Sequence, residues 1–186
     1  MLSGVVSKRA MKRVAVFGNA GGGKSTLARQ LAAITGLPLY VIDKLQFKDG
    51  AAAVPHDEYL ELHRDVLARE TWIIDGYGDT ATVWERCGVA DTLVHVDLPL
   101  PIHYWWVTKR LIKGLLADPD GWPKGSPLWS STMSSYRVLP RCHRYLTPRY
   151  RELVSEMAAS KRVAHLRSPH EMAAFLNNVR NEIGTG

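Results

Sequence analysis

Cysteine is scarce in this chain: Cys87 and Cys142 are the only two among 186 residues. They lack the spacing of a metal knuckle, and a disulfide framework is excluded as the source of stability. No apolar run approaches the ~20 residues of a membrane-spanning helix. Residues 1–10, Met1 to Ala10, have no apolar core, so no secretory leader is expected and a cytoplasmic setting is. No two histidines stand at metal-ligand spacing, no repeat or low-complexity tract interrupts the chain, and no helix-turn-helix pattern offers a DNA-reading element. Hydrophobic residues make up 46% and charged residues 23% of the sequence. That balance suits one globular core.

Charge is unevenly spread. The chain carries a formal +6, yet residues 101–151 hold nine basic side chains against Asp118 and Asp120, a local +7 that leaves the remainder at −1. A basic excess confined to one segment fits a polyphosphate clamp or a nucleic-acid surface.

The most informative segment is Gly18-Asn19-Ala20-Gly21-Gly22-Gly23-Lys24-Ser25. It matches G-x-x-x-x-G-K-S/T, the phosphate-binding P-loop, and a chance glycine turn is the alternative. The flanks decide between them. Val14-Ala15-Val16-Phe17 reads as a strand, and the run from Ser25 and Thr26 to Ala32 reads as a helix. Strand, glycine loop and helix N-terminus together make an anion cradle. Residues Gly18 through Thr26 are therefore the expected nucleotide site. Lys24 is expected at the β- and γ-phosphates and the Ser25 hydroxyl on Mg²⁺, with ATP·Mg²⁺ as the ligand.

Further strands are expected at 39–43, 72–75, 92–97 and 162–167, and a loop at 44–55. Helices are expected at 24–34, 56–67, 80–87, 102–116, 131–145, 148–160 and 169–183, with Pro99 and Pro101 breaking the chain and a mobile loop at 117–130. Strands alternating with helices predict an α/β fold: a three-layer P-loop architecture, its five-stranded parallel sheet flanked by helices and topped by a helical lid. Residues 1–12 read as a disordered extension and 13–186 as the domain, with the lid inserted at about 114–147.

In such a sheet ligands bind beyond the carboxyl ends of the strands, where Asp43, Asp75 and Asp97 fall. Asp75, after Trp72-Ile73-Ile74, is the preferred Mg²⁺ acid, with Asp97 as the competitor. Asp43 is a candidate base for an acceptor hydroxyl. Arg137, Arg141 and Arg144 share one helix face if Pro140 permits a helix, and either close on the transferred phosphoryl group or form a solvated basic face. The aromatics Tyr104, Trp105, Trp106, Trp122 and Trp129 stack on a base or pack a core. His165 reads as a core residue. Cys142, though among basic residues, lacks a partner base.

These residues resemble the adenylate-kinase-like branch of P-loop kinases. Asp75-Gly76-Tyr77 is similar to their Asp-Gly-Phe-Pro-Arg segment, and Asp97-Leu98-Pro99 with Lys109-Arg110 is similar to the approach to their lid. The likeness implies Arg110 at ATP and Trp106 near the adenine. Ile42-Asp43-Lys44-Leu45, Arg86 before Ala90-Asp91, and Leu166-Arg167-Ser168-Pro169 look like the bacterial DNA topology modulation (FlaR-type) relatives of adenylate kinase. That comparison implies an acceptor site with Gly76, Tyr77 and an anion on Arg86. Gly78-Asp79 stands where adenylate kinases carry the Pro-Arg pair whose arginine grips AMP. Asp43 instead resembles the acid of shikimate and gluconate kinases, which phosphorylate hydroxyls. Three readings stay open: a kinase acting on a nucleoside monophosphate or a hydroxyl-bearing metabolite, a nucleotide-dependent regulator that binds DNA, and an ATPase switch.

Overall fold

The computed structural model describes residues 11–46, 53–116 and 128–184, with the side chains of Asp43, 113–116 and 128–132 outside that description. Five strands, β1 (Arg13–Gly18), β2 (Leu39–Val41), β3 (Trp72–Asp75), β4 (Thr92–Val96) and β5 (Arg162–Leu166), form one sheet in the order β2-β3-β1-β4-β5. All four pairings are parallel. Eight helices appear among the described residues: α1 (Lys24–Thr35), α2 (Ile42–Gln46), α3 (His56–Leu67), α4 (Thr80–Val89), α5 (Leu100–Leu116), α6 (Leu128–Tyr145), α7 (Thr147–Met157) and α8 (Pro169–Gly184).

Strands such as Val14-Ala15-Val16-Phe17 are apolar without a break because both faces of the sheet are covered. Ala15, Phe17, Trp72, Ile74 and Leu93 face α3, α4 and α7 through Tyr59, Val66, Val83, Tyr150 and Val154. The alternate residues Val14, Val16, Ile73, Val94 and Val96 face α1 and α8 through Leu27, Leu31, Leu176 and Val179. The three-layer α/β reading therefore holds. Met11 packs on the α1–α8 side and the Lys12 carbonyl accepts from Trp72, so these two residues, expected in the extension, take part in the fold.

Four local expectations change. The second strand stops at Val41 and Ile42 starts a short helix, so Asp43 lies in the first turn of α2 and not at a strand end. Within the loop expected at 44–55, residues 44–46 are helical and 47–52 lie outside the described residues. Pro101 does not break the chain: it lies in the first turn of α5, where a missing N–H leaves no helical bond unmade. The loop expected at 117–130 is helical at 128–130, and 117–127, with Trp122, lies outside the described residues.

Pro140 sits inside α6 without ending it. It removes the bond to the Tyr136 carbonyl, normally a costly loss. Tertiary contacts hold the turn that leads into Pro140. Tyr136 stacks on Tyr104 of α5 with centroids 5.5 Å apart, and its hydroxyl bonds Thr108. Leu139 is fully buried.

Candidate active site

The P-loop leaves β1 at Gly18 and enters α1 through Gly23, whose left-handed φ of 74° favours glycine. Its back rests on one face of α5. A Cβ on Gly21, Gly22 or Gly23 would meet Val107, His103 or Trp106 respectively, so the glycines let helix and loop approach closely. Lys24 Nζ donates to Asn19 O at 2.7 Å, across the loop that would hold a phosphate. Ser25 and Thr26 are exposed in the first turn of α1.

Asp75 ends β3, beside β1, with Val16 and Val41 as its register partners. Alternation with Ile73 turns its side chain toward the α1 face. It is 1% exposed, and its Oδ1 has no hydrogen-bond partner among the described residues. A buried carboxylate oxygen without a donor suits a cation.

Asp97 is differently placed. Arg151 donates to it twice, Nε to Oδ2 at 2.7 Å and Nη2 to Oδ1 at 3.0 Å, and His165 Nε2 donates to Oδ2 at 2.8 Å. Burial opposes its charge, but the His165 and Arg151 bonds outweigh that and hold its carboxyl well below the usual range. Asp97 is engaged, which favours Asp75 as the metal acid.

Three-dimensional pairing also brings together what linear spacing did not. His95 and His165 are register partners on β4 and β5, with rings stacked at 4.8 Å. Their ligand atoms and a carboxylate oxygen of Asp97 lie within 4.8 Å of one another. Two guanidiniums contest any cation there: Arg151 on the carboxylate, and Arg167 Nη2 at 3.3 Å from His165 Nδ1. Burial pushes the His95 imidazole down to about 3, so it is neutral. We read the group as a structural network.

The expected acceptor residues separate. Arg86 is fully buried, and its Nη2 donates to the carbonyls of Gly76 and Tyr77, the latter at 2.9 Å. It props the turn after β3, and its Nε and Nη1 are buried without a hydrogen-bond partner among the described residues. Burial shifts its pKa down, although a guanidinium stays charged throughout. Tyr77 is 41% exposed, with its hydroxyl 2.7 Å from that of Thr80. These two side chains form one wall of a cleft of about 260 Å³, and Arg141, Cys142, Tyr145, Leu146 and Arg149 at the α6–α7 corner form the other.

Of the three arginines expected to act together, only Arg141 lines this cleft. Arg137 and Arg144 are exposed elsewhere on α6, with Arg144 over the Tyr145 ring at 5.5 Å. Arg149, counted in the basic segment but not singled out, takes their place from α7. Helix-face spacing could not find it, because it follows the corner between two helices. Asn19 Nδ2 donates to Leu139 O at 3.0 Å and so joins the P-loop to α6 near this cleft.

Trp106 packs behind Gly23 in the α1–α8 cluster and is half-buried. Arg110 is half-buried, with Nη2 3.4 Å from Ser135 Oγ on α6, and burial lowers its pKa. Trp105 is the exposed member of the aromatic run, at 63%. The Trp129 side chain lies outside the described residues. Sequence reading missed His103. Its signal was present, since His103, Trp106 and Val107 share one face of α5 at i, i+3 and i+4.

No protein-family model matches the sequence, and no curated protein is recognisably similar to it. Solved structures do resemble it. A shikimate kinase from Acinetobacter baumannii, in complex with shikimate, superposes with a TM-score of 0.57 at 15% identity over 95% of this chain and 94% of its own. A shikimate kinase from Bacteroides thetaiotaomicron gives 0.52 at 13% over 94% and 99%, and a gluconokinase from Sinorhizobium meliloti 1021 gives 0.50 at 13% over 96% and 94%. The chain shares the five-stranded parallel α/β fold of these structures. Among the described residues no helix is long and apolar enough to cross a membrane.

Proposed function

We propose that this chain is a kinase that transfers the γ-phosphoryl of ATP to a hydroxyl of a small acceptor. The observation that carries the reading is Asp75, a buried carboxylate with an unpartnered oxygen on the strand beside the P-loop strand. Residues 18–26 would hold the polyphosphate. Lys24 would exchange its bond to the Asn19 carbonyl for phosphate oxygens, a stronger charge-assisted contact. Ser25 and Asp75 would hold Mg²⁺, which when bound neutralises phosphate charge.

Asp43 is our candidate base. Its backbone lies two residues past Val41, the register partner of Asp75, so the acids of β3 and α2 approach the same end of the sheet. The cleft between Tyr77 and Arg141–Arg149 is the acceptor site. Two arginines and the three hydroxyls of Tyr77, Thr80 and Tyr145 suit an acceptor that carries an anionic group. Segment 114–147, with Arg110 bracing α5 against α6, serves as the lid over a single domain that includes Met11 and Lys12. The shikimate kinase and gluconokinase folds support a hydroxyl acceptor, and the FlaR-like segments support the adenylate-kinase-like branch. An ATP requirement and two unbridged cysteines suit the cytoplasm.

The test is ADP release from ATP·Mg²⁺ against a panel of nucleoside monophosphates and small hydroxy acids. Acceleration by one acceptor, lost in Asp43→Asn, is expected. ADP release that responds to no acceptor makes the protein an ATPase and overturns the reading.

A further inference from the structure

His103 is 1% exposed, and both ring nitrogens face main-chain carbonyls: Nδ1 lies 2.7 Å from Ala20 O and Nε2 3.1 Å from Leu98 O. A Cβ on Gly22 would come within 2.9 Å of its Cε1, so the ring is the floor of the P-loop. Carbonyl oxygens only accept hydrogen bonds, and a neutral imidazole has one N–H to give. In the neutral ring one contact is lone pair against lone pair. Only the imidazolium donates to both.

The surroundings of the ring resist that proton. Burial opposes it most, and the charges of Lys24 on α1 and His143 on α6 add to the opposition, while the Ala20 and Leu98 carbonyls favour it. A polyphosphate over residues 18–25 reverses the balance by bringing negative charge to the same loop and engaging Lys24.

We propose that His103 is a positioning residue that couples nucleotide binding to proton uptake: the ring protonates when polyphosphate fills the loop, and the imidazolium then fixes the Ala20 carbonyl. The peptide unit is planar and trans, so a carbonyl held toward α5 turns the Gly21 N–H to the opposite side of the loop. The proton thereby helps to set a donor of the anion cradle. This rests on the nucleotide site proposed above. Linkage is reciprocal, so affinity rises as pH falls through the histidine range, by up to about tenfold for each unit by which binding raises the His103 pKa.

The test is calorimetry of ADP·Mg²⁺ binding at about pH 7 in two buffers of different ionisation heat, which reads protons taken up in the range where histidine titrates. The wild type is compared with His103→Gln, which keeps a donor but cannot titrate. The nucleotide's own protons are common to both proteins and cancel. Greater uptake by the wild type is expected, with weaker binding by the variant. Equal proton counts with binding retained in both overturn the coupling and leave the kinase reading intact. Failure of the wild type to bind ADP·Mg²⁺ or ATP·Mg²⁺ overturns the nucleotide site itself. If the variant does not fold, histidine-labelled wild type serves: a His103 resonance that titrates at the same pH with and without ADP·Mg²⁺ overturns the coupling.

Discussion

Asp75 and Asp97 end or follow the two strands that flank β1, and their neighbours give them opposite tasks. Asp97 is matched by Arg151 and His165, whereas Asp75 keeps an unpartnered oxygen. Asp75→Asn should cut phosphoryl transfer by about a hundredfold or more while leaving the unfolding midpoint within a few degrees, because no ion pair is lost. Asp97→Asn should do the reverse. It strands the two donors and lowers stability by about 1–2 kcal/mol, discounted because Arg151 is half exposed and screened. Urea unfolding and steady-state rates on both variants separate the roles.

The same network sets an acid limit. His95 has its folded pKa depressed by burial to about 3, below the unfolded value of 6.5, so the unfolded chain binds the extra proton between those values. Stability from His95 is full above the unfolded value and is lost as pH falls toward the folded one, at up to about 1.4 kcal/mol per pH unit. Asp97, also depressed, adds its loss only below the ordinary carboxylate range. His95→Phe, which keeps the stack on Phe17, should flatten the unfolding free energy between about pH 6 and pH 4. An unchanged slope removes His95 from the account.

At the scale of elements, the sequence was most legible where one local rule decided the outcome. Continuous apolar runs gave β1 and β3, and Gly36, with φ 72°, closes α1 just past the expected end at residue 34. Legibility failed where distant partners decide. α6 continues through Pro140 because α5 and the P-loop hold it, and α2 begins where Leu39-Tyr40-Val41-Ile42 suggested more strand. His95 beside His165 and Arg149 beside Arg141 are products of register and of a helix corner, which no spacing rule reads. The turn after β3 shows the same limit. Gly78 has φ 70°, and a Cβ there would meet the Tyr59 hydroxyl and lie 2.9 Å from Ile42 Cγ2. Gly78→Arg, one residue before the Asp79 that stands at the adenylate kinase arginine position, should therefore lower stability by about 2 kcal/mol or more and confer no AMP-dependent rate. A thermal unfolding curve and an AMP titration check both halves.

At the scale of the molecule, the basic excess of residues 101–151 divides by direction. Arg141 and Arg149 face the cleft with Tyr77 and Thr80, while Arg137 and Arg144 lie outside it. An acceptor site and a nucleic-acid surface then predict different patterns across four single alanine variants. For an anionic acceptor, Arg141→Ala and Arg149→Ala should each raise its KM by about tenfold or more, the worth of a charge-assisted bond, and leave the KM for ATP nearly unchanged. Arg137→Ala and Arg144→Ala should change neither. A surface that binds DNA would treat the four as equivalents: each removal would weaken binding and lower the salt dependence by about one unit of log–log slope. The acceptor KM and the salt dependence of DNA affinity, measured on the same four proteins, therefore decide what the charge is for. An effect confined to Arg141 and Arg149 assigns it to phosphoryl transfer, and an even effect on DNA across all four assigns it to nucleic acid.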